Sequence, residues 1–179
     1  MTARYFFTAA LIAAIIALAV ANILDDNVHK MQDTITNREV RALAISSNEL
    51  SGGINLVRVE SGLAELKREP LLDLSAGNKA KDMCLHDYWA HEPPEGSWWD
   101  FIFSSGFEYV TASENLAFGY ESSTEIINAW RASESHFGAI IDPDMDSLGV
   151  GIELCPEYQG GRDKYIIVTH FALGVSNDE

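Results

Sequence analysis

Glu114, Ser133 and His136 are the side chains whose types and spacing could do chemistry. Ser122-Ser123-Thr124-Glu125 has the Ser-x-x-Glu form of a helix capping box, placed just before an apolar run. Ile126, Trp130 and Phe137 then recur at helical spacing on one face, and Ser133 falls on the same stripe. His136 follows one turn after Ser133, near the expected helix end, where an imidazole can lean into a cleft. Glu114 reads as a loop carboxylate just before the helix. A hydroxyl, an imidazole and a carboxylate could serve as nucleophile, base and orienting acid. The Gly-x-Ser-x-Gly turn that exposes such a serine in an α/β-hydrolase is missing. Other templates fail as well. His91-Glu92 is followed by two prolines and no second histidine, so it is not the helical His-Glu-x-x-His of metalloproteases. No glycine-rich phosphate loop occurs.

Further segments join these residues into a pattern. Glu-Asn-Leu-Ala at Glu114, followed by Trp-x-x-Ser-x-x-His from Trp130, resembles the core signature of the CAP superfamily, or SCP domain. That superfamily includes cysteine-rich secretory proteins, venom antigen 5, plant pathogenesis-related proteins and short prokaryotic secreted relatives. Ile54-Asn55-Leu56-Val57-Arg58 and Ser61-Gly62-Leu63-Ala64-Glu65-Leu66 resemble its opening helix and the step after it. Ala80-Lys81-Asp82-Met83 resembles its second helix, and Trp89-Ala90-His91 with Pro94-Glu95-Gly96 resembles its histidine loop. Leu148-Gly149-Val150-Gly151 resembles the strand after the last motif. The likeness runs from about Glu49 to Gly174.

The resemblance implies a cleft with two histidines and two acids. On this chain the histidines are His91 and His136, and the first acid is Glu114. Ser133 stands where many eukaryotic members carry the second acid, and Glu134 lies one step off the stripe. One carboxylate is therefore missing, which lowers the expected metal affinity. What remains suits a divalent ion, zinc before others: His91 and His136 as ligands, with Glu114 as a possible base toward bound water. Each residue also has a plainer reading. His91 could hold its loop through a backbone carbonyl, His136 could interact with a helix C-terminal dipole, and Glu114 could accept from backbone N–H groups. Trp130 reads as core. His29, His86 and His170 match no site position and read as structural or surface residues.

The elements that must position these groups are legible in outline. Ile54 to Lys67 reads as a helix interrupted at Gly62, and Pro70 suits the first turn of a second helix. Leu72, Ala76, Ala80 and Met83 form one apolar stripe. Ser97 is a candidate cap for a short helix through Trp98, Phe101 and Ile102, closed by Gly106. Phe107 to Val110 reads as a first strand. Leu148–Leu154 and Tyr165–Ala172 read as an antiparallel hairpin with a longish loop at Gly160-Gly161. The expected fold is α+β, a three-layer αβα sandwich around a small antiparallel sheet, preceded by one N-terminal hydrophobic helix. Cys84 and Cys155 are candidates for a disulfide or for two buried thiols. Their spacing fits neither a zinc cluster nor a Cys-x-x-Cys redox site.

Tyr5 to Leu24 is an almost unbroken apolar run with Arg4 before it and Asp25-Asp26 after it. About twenty residues at ~1.5 Å rise match the ~30 Å core of a bilayer. Ala19-Val20-Ala21 also has the form of a signal-peptide cleavage site. Residues 1–24 are thus a signal anchor or a signal peptide, 25–51 a spacer broken by Ser51-Gly52-Gly53, and 52–176 the domain. Both readings put the domain outside the cytoplasm, anchored to the membrane or secreted. The net charge of −15 argues against nucleic acid, which needs basic surface. Three functions follow, one of them a sensor or adhesion domain whose anchor matters more than its cleft; the other two concern the cleft itself. The first is a binding or structural module for a lipid, glycan or protein partner. The second is a metal-dependent hydrolase of peptide or ester using His91, His136 and Glu114.

Overall fold

The computed structural model describes residues 20–32 and 45–175. The chain divides into two units, Met1–Leu43 and Ala44–Glu179. In the first, residues 20–32 form a helix, α1. The apolar run from Tyr5 lies outside the described residues except for its last five positions. Among the described residues no helix is long and apolar enough to cross a membrane.

The second unit runs α2 (Ser47–Glu60), β1 (Lys67–Arg68), α3 (Pro70–His86), α4 (Trp99–Ser105), β2 (Tyr109–Phe118), α5 (Ser123–Ala132), α6 (Glu134–Ile140), β3 (Ser147–Tyr158) and β4 (Gly161–Gly174). The strands form one sheet in the order β1-β3-β4-β2. β3–β4 and β2–β4 are antiparallel, but the two-residue β1 pairs with β3 in parallel. The sheet is therefore mixed, not purely antiparallel. No strand-like run marks Lys67-Arg68. The pair is held by backbone bonds from Lys67 N to Asp146 O and from Glu69 N to Leu148 O.

Side-chain alternation along the strands separates two cores. On one face, Leu148, Val150, Ile167 and Phe171 pack with Leu50, Ile54 and Val57 of α2, Ile126 and Trp130 of α5, and Ile140 of α6. On the other, Ile166, Val168 and Leu116 meet Ala76, Ala80 and Met83 of α3. Leu72 and Ala172 meet Trp98 and Ile102 beside them. The expected α3 stripe of Leu72, Ala76, Ala80 and Met83 is fully buried, and Pro70 stands in its first turn. α3 lies unusually close to β3. A Cβ on Gly149 would fall 2.1 Å from the Leu72 carbonyl carbon, and one on Gly151 would fall 2.2 Å from that of Ala76.

Several local expectations change. Ser51-Gly52-Gly53 does not break the chain but lies inside α2, whose start Ser46 caps by accepting from Glu49 N at 3.1 Å. Gly53 is instead a notch against α5, since a Cβ there would come within 2.9 Å of Ile127. α2 ends at Glu60, before the αL residue Gly62, rather than continuing to Lys67. Ser97 gives α4 no side-chain cap, because it lies one residue before the N-cap position, held by Trp98, and its hydroxyl donates to Glu92; Gly106 does close the helix in the αL conformation. The β3–β4 loop is short. Tyr158 pairs with Gly161, leaving Gln159 and Gly160, both at positive φ, as a two-residue turn. Cys84 and Cys155 form a disulfide with a Cα–Cα distance of 5.6 Å, tying the end of α3 to β3.

Candidate functional site

Glu114 lies not in a loop but in the middle of β2, at the sheet edge. Strand alternation turns it, like Ala112 and Leu116, toward the α3 face. Its side chain is almost fully buried and is satisfied by two imidazoles. His91 Nδ1 lies 2.7 Å from one carboxylate oxygen and His170 Nε2 lies 3.1 Å from the other. His170 sits directly opposite Glu114 in the β2–β4 register. Its far nitrogen, Nδ1, is 2.8 Å from Ser75 Oγ of α3. His170 and Ser75 are fully buried.

His91 reaches Glu114 from the loop after α3, and that loop is tied down at several points. Asp87 ends the helix in the αL conformation and accepts from Gln159 N at 2.7 Å. Tyr158 Oη donates to the Tyr88 carbonyl at 2.6 Å. Lys79, fully buried on α3, donates from Nζ to Tyr88 Oη at 2.9 Å and to the carbonyl oxygens of Ala90 and His91. A buried ammonium thus holds the backbone on which His91 stands.

The other candidate residues come from α5 and α6. The helix expected to run unbroken through Ser133 stops there: Ser133 is extended, at φ −104° and ψ 120°. His136 consequently lies in the first turn of α6, so the C-terminal dipole reading does not apply. Its Nδ1 is 2.7 Å from Ser133 Oγ, and its ring stacks on Trp130. Asn115, next to Glu114 and pointing to the other face, donates to the His136 carbonyl at 3.0 Å, and Trp130 Nε1 donates to Leu116 O at 3.2 Å. Trp130 is core, as its spacing implies.

Burial pushes the Glu114 carboxyl up, but hydrogen bonds from His170 and His91 and the charge of Lys79 hold it below the usual carboxylate value. The bond to Glu114 raises His91 above an ordinary histidine against the effect of its own partial burial. His136 is lowered, first by burial and then by the charge of His91. Burial lowers Lys79, with Glu114, Asp82 and Glu92 opposing it.

The structure thus brings His91 to Glu114 and Ser133 to His136, as two separate pairs. Glu114 does not orient His136, so no Ser133–His136–Glu114 nucleophilic relay forms. The donor set also does not fit a three-ligand metal centre. Both Glu114 oxygens face imidazoles, and among the described residues no group of three or more His, Cys, Asp or Glu side chains is placed to hold a metal ion. His170, which matches no family position, is part of the site. It was hidden because strand register is set by non-local pairing. Ser75 and Lys79 did leave a signal: both fall on or beside the apolar α3 stripe, where polar residues need a partner.

A family model described as the cysteine-rich secretory protein family, CAP, matches residues 52–171. The chain belongs to the CAP family. It is 38% identical over 98 residues to the uncharacterized protein YkwD of Bacillus subtilis, covering 54% of this chain. It is 31% identical over 101 residues to the uncharacterized membrane protein YlbC of the same organism, covering 55% of this chain. These matches span only 38% and 29% of the relatives' own lengths. Among solved structures, the fold is similar to an outer surface protein from Borrelia burgdorferi, at TM-score 0.63 and 23% identity, covering 70% of this chain and 90% of that one. It is also similar to an extracellular SCP-domain protein from Bacillus anthracis, at TM-score 0.58 and 22% identity, covering 66% and 37%. At these identities the CAP likeness speaks for the fold.

Proposed function

We propose that this CAP domain works outside the cytoplasm as a binding module, taking a lipid, glycan or protein partner at the cleft between His91 and His136. The observation that carries this reading is the engagement of both Glu114 oxygens. With the carboxylate turned inward to His91 and His170, the cleft offers two imidazoles and the Ser133 hydroxyl as recognition groups, and Glu114 itself is not free to act as a base toward bound water. Placement outside the cytoplasm is supported by the Cys84–Cys155 disulfide, a feature of oxidising compartments, and by relatives described as extracellular or outer-surface proteins. The hydrolase reading uses His91, His136 and Glu114, and needs Glu114 to leave one of its partners if the carboxylate is to act as the base.

The test is an NMR titration of the full chain, following the imidazole signals of His91 and His136. An N-acetylglucosamine oligomer, phosphatidylglycerol vesicles and zinc chloride are added in separate experiments. The binding reading expects the glycan or the vesicles to perturb both rings, with the response lost in His91→Ala. Micromolar zinc binding, lost in both His91→Ala and His136→Ala, with neither other probe responding, would turn the assignment toward the hydrolase.

A further inference from the structure

The chain of contacts from Ser75 through His170 and Glu114 to His91 has a direction. An ionised carboxylate carries no proton to donate, so each nitrogen facing it must carry one. At 2.7 Å and 3.1 Å those nitrogens are Nδ1 of His91 and Nε2 of His170. With its proton on Nδ1, neutral His91 keeps its lone pair on Nε2. That side chain is 55% exposed, while those of Glu114 and His170 are 1% and 0%. The inner end cannot turn. His170 is enclosed, with the Trp98 ring centroid 5.7 Å from its own and Ser75 Oγ against its far nitrogen. Whether Ser75 donates or accepts, Nε2–H of His170 faces Glu114. The Glu114–His170 contact also follows from the β2–β4 register, so it belongs to the sheet and not to a loop.

We propose that His170 is a positioning residue: by occupying one oxygen of Glu114 it commits the other to His91 and makes Nε2 of the neutral His91 ring a fixed hydrogen-bond acceptor at the cleft. Resting on the reading of this cleft as the binding site, the proposal narrows the ligand chemistry. At a pH above the titration of His91, the group received there is a donor, such as a sugar hydroxyl or an amide N–H.

The measurement is long-range proton–nitrogen NMR of the full chain with labelled histidine, at a pH above the titration of His91. The expected result is one His91 tautomer, with its proton on Nδ1. In His170→Leu the two tautomers mix, and in His170→Gln, whose amide can donate to Glu114, the Nδ1–H form returns. A wild-type His91 protonated on Nε2 would overturn the proposal, as would a pure Nδ1–H form in a folded His170→Leu variant. If His170→Leu does not fold, the wild-type spectrum and His170→Gln still decide, and a mixed tautomer in the Gln variant counts against the proposal. The tautomer is read without added ligand, so failure of the cleft to bind the probes named above leaves this result standing, and the reverse also holds.

Discussion

The two faces of the sheet each bury a cation, and they use it differently. On the α2 face Arg58 donates to the carbonyl oxygens of Ala64, Ile140, Asp142 and Met145, joining two loops amid apolar side chains. On the α3 face Lys79 also donates to carbonyls, but those belong to the loop that carries His91, and Glu114 lies within its field. One face is ordinary core with an internal brace. The other is thinned by Gly149 and Gly151 so that α3 can bring Ser75 and Lys79 to His170 and the His91 loop. The site therefore depends on a close helix–sheet approach that the opposite face does not need.

The largest way to break the contrast is Gly149→Val. Its side chain meets the backbone of α3, and overpacking of this kind costs about 3 kcal/mol. The expected outcome is a lower denaturant midpoint together with a changed His170 environment in histidine NMR. Next come Arg58→Met and Lys79→Met, each leaving carbonyl oxygens without a donor, at about 2 kcal/mol by the same unfolding measurement. The two should part in the site. Lys79→Met raises the titration of His91, because its nearby positive charge is gone, whereas Arg58→Met leaves it unchanged. Smaller again is Ile167→Val on the α2 face, about 1 kcal/mol. It should leave the histidine signals of the α3 face as they are.

What the sequence made legible was local. The Ser122–Glu125 capping box, Pro70 at a helix start and the α3 stripe each rest on neighbours within a turn or two, and each is found in the structure. The likeness to CAP proteins added the family and pointed to His91, Glu114 and His136 as candidate site residues. Non-local facts stayed hidden. Glu114 looked like a loop residue because a carboxylate in a strand is costly unless paired, and its partner His170 lies 56 positions away. The break at Ser133 escaped because Ile126, Trp130 and Phe137 satisfy a helical period whether or not the helix is continuous. Gly53 looked like a breaker when its task is to let α5 approach.

The smallest effect is on stability against pH. His91 is raised in the folded state, so its bond to Glu114 contributes below the unfolded histidine value, about 6.5, and is lost as pH rises through the folded one. Glu114 is lowered, so the same bond contributes above the unfolded carboxyl value, about 4.3, and is lost as pH falls through the folded one. The contribution is fully present between those two values. Denaturant midpoints should show a shallow maximum there that Glu114→Gln removes.

The most direct test of the account is a proton NMR titration of His91 and His136 in the full chain. Both imidazoles belong to the proposed cleft, yet the Glu114 bond should move His91 above the ordinary histidine value while burial and the charge of His91 move His136 below it. In Glu114→Gln, His91 should fall back toward His136. Two histidines titrating together, or a His91 indifferent to the loss of the Glu114 carboxylate, would contradict the arrangement on which the proposed function stands.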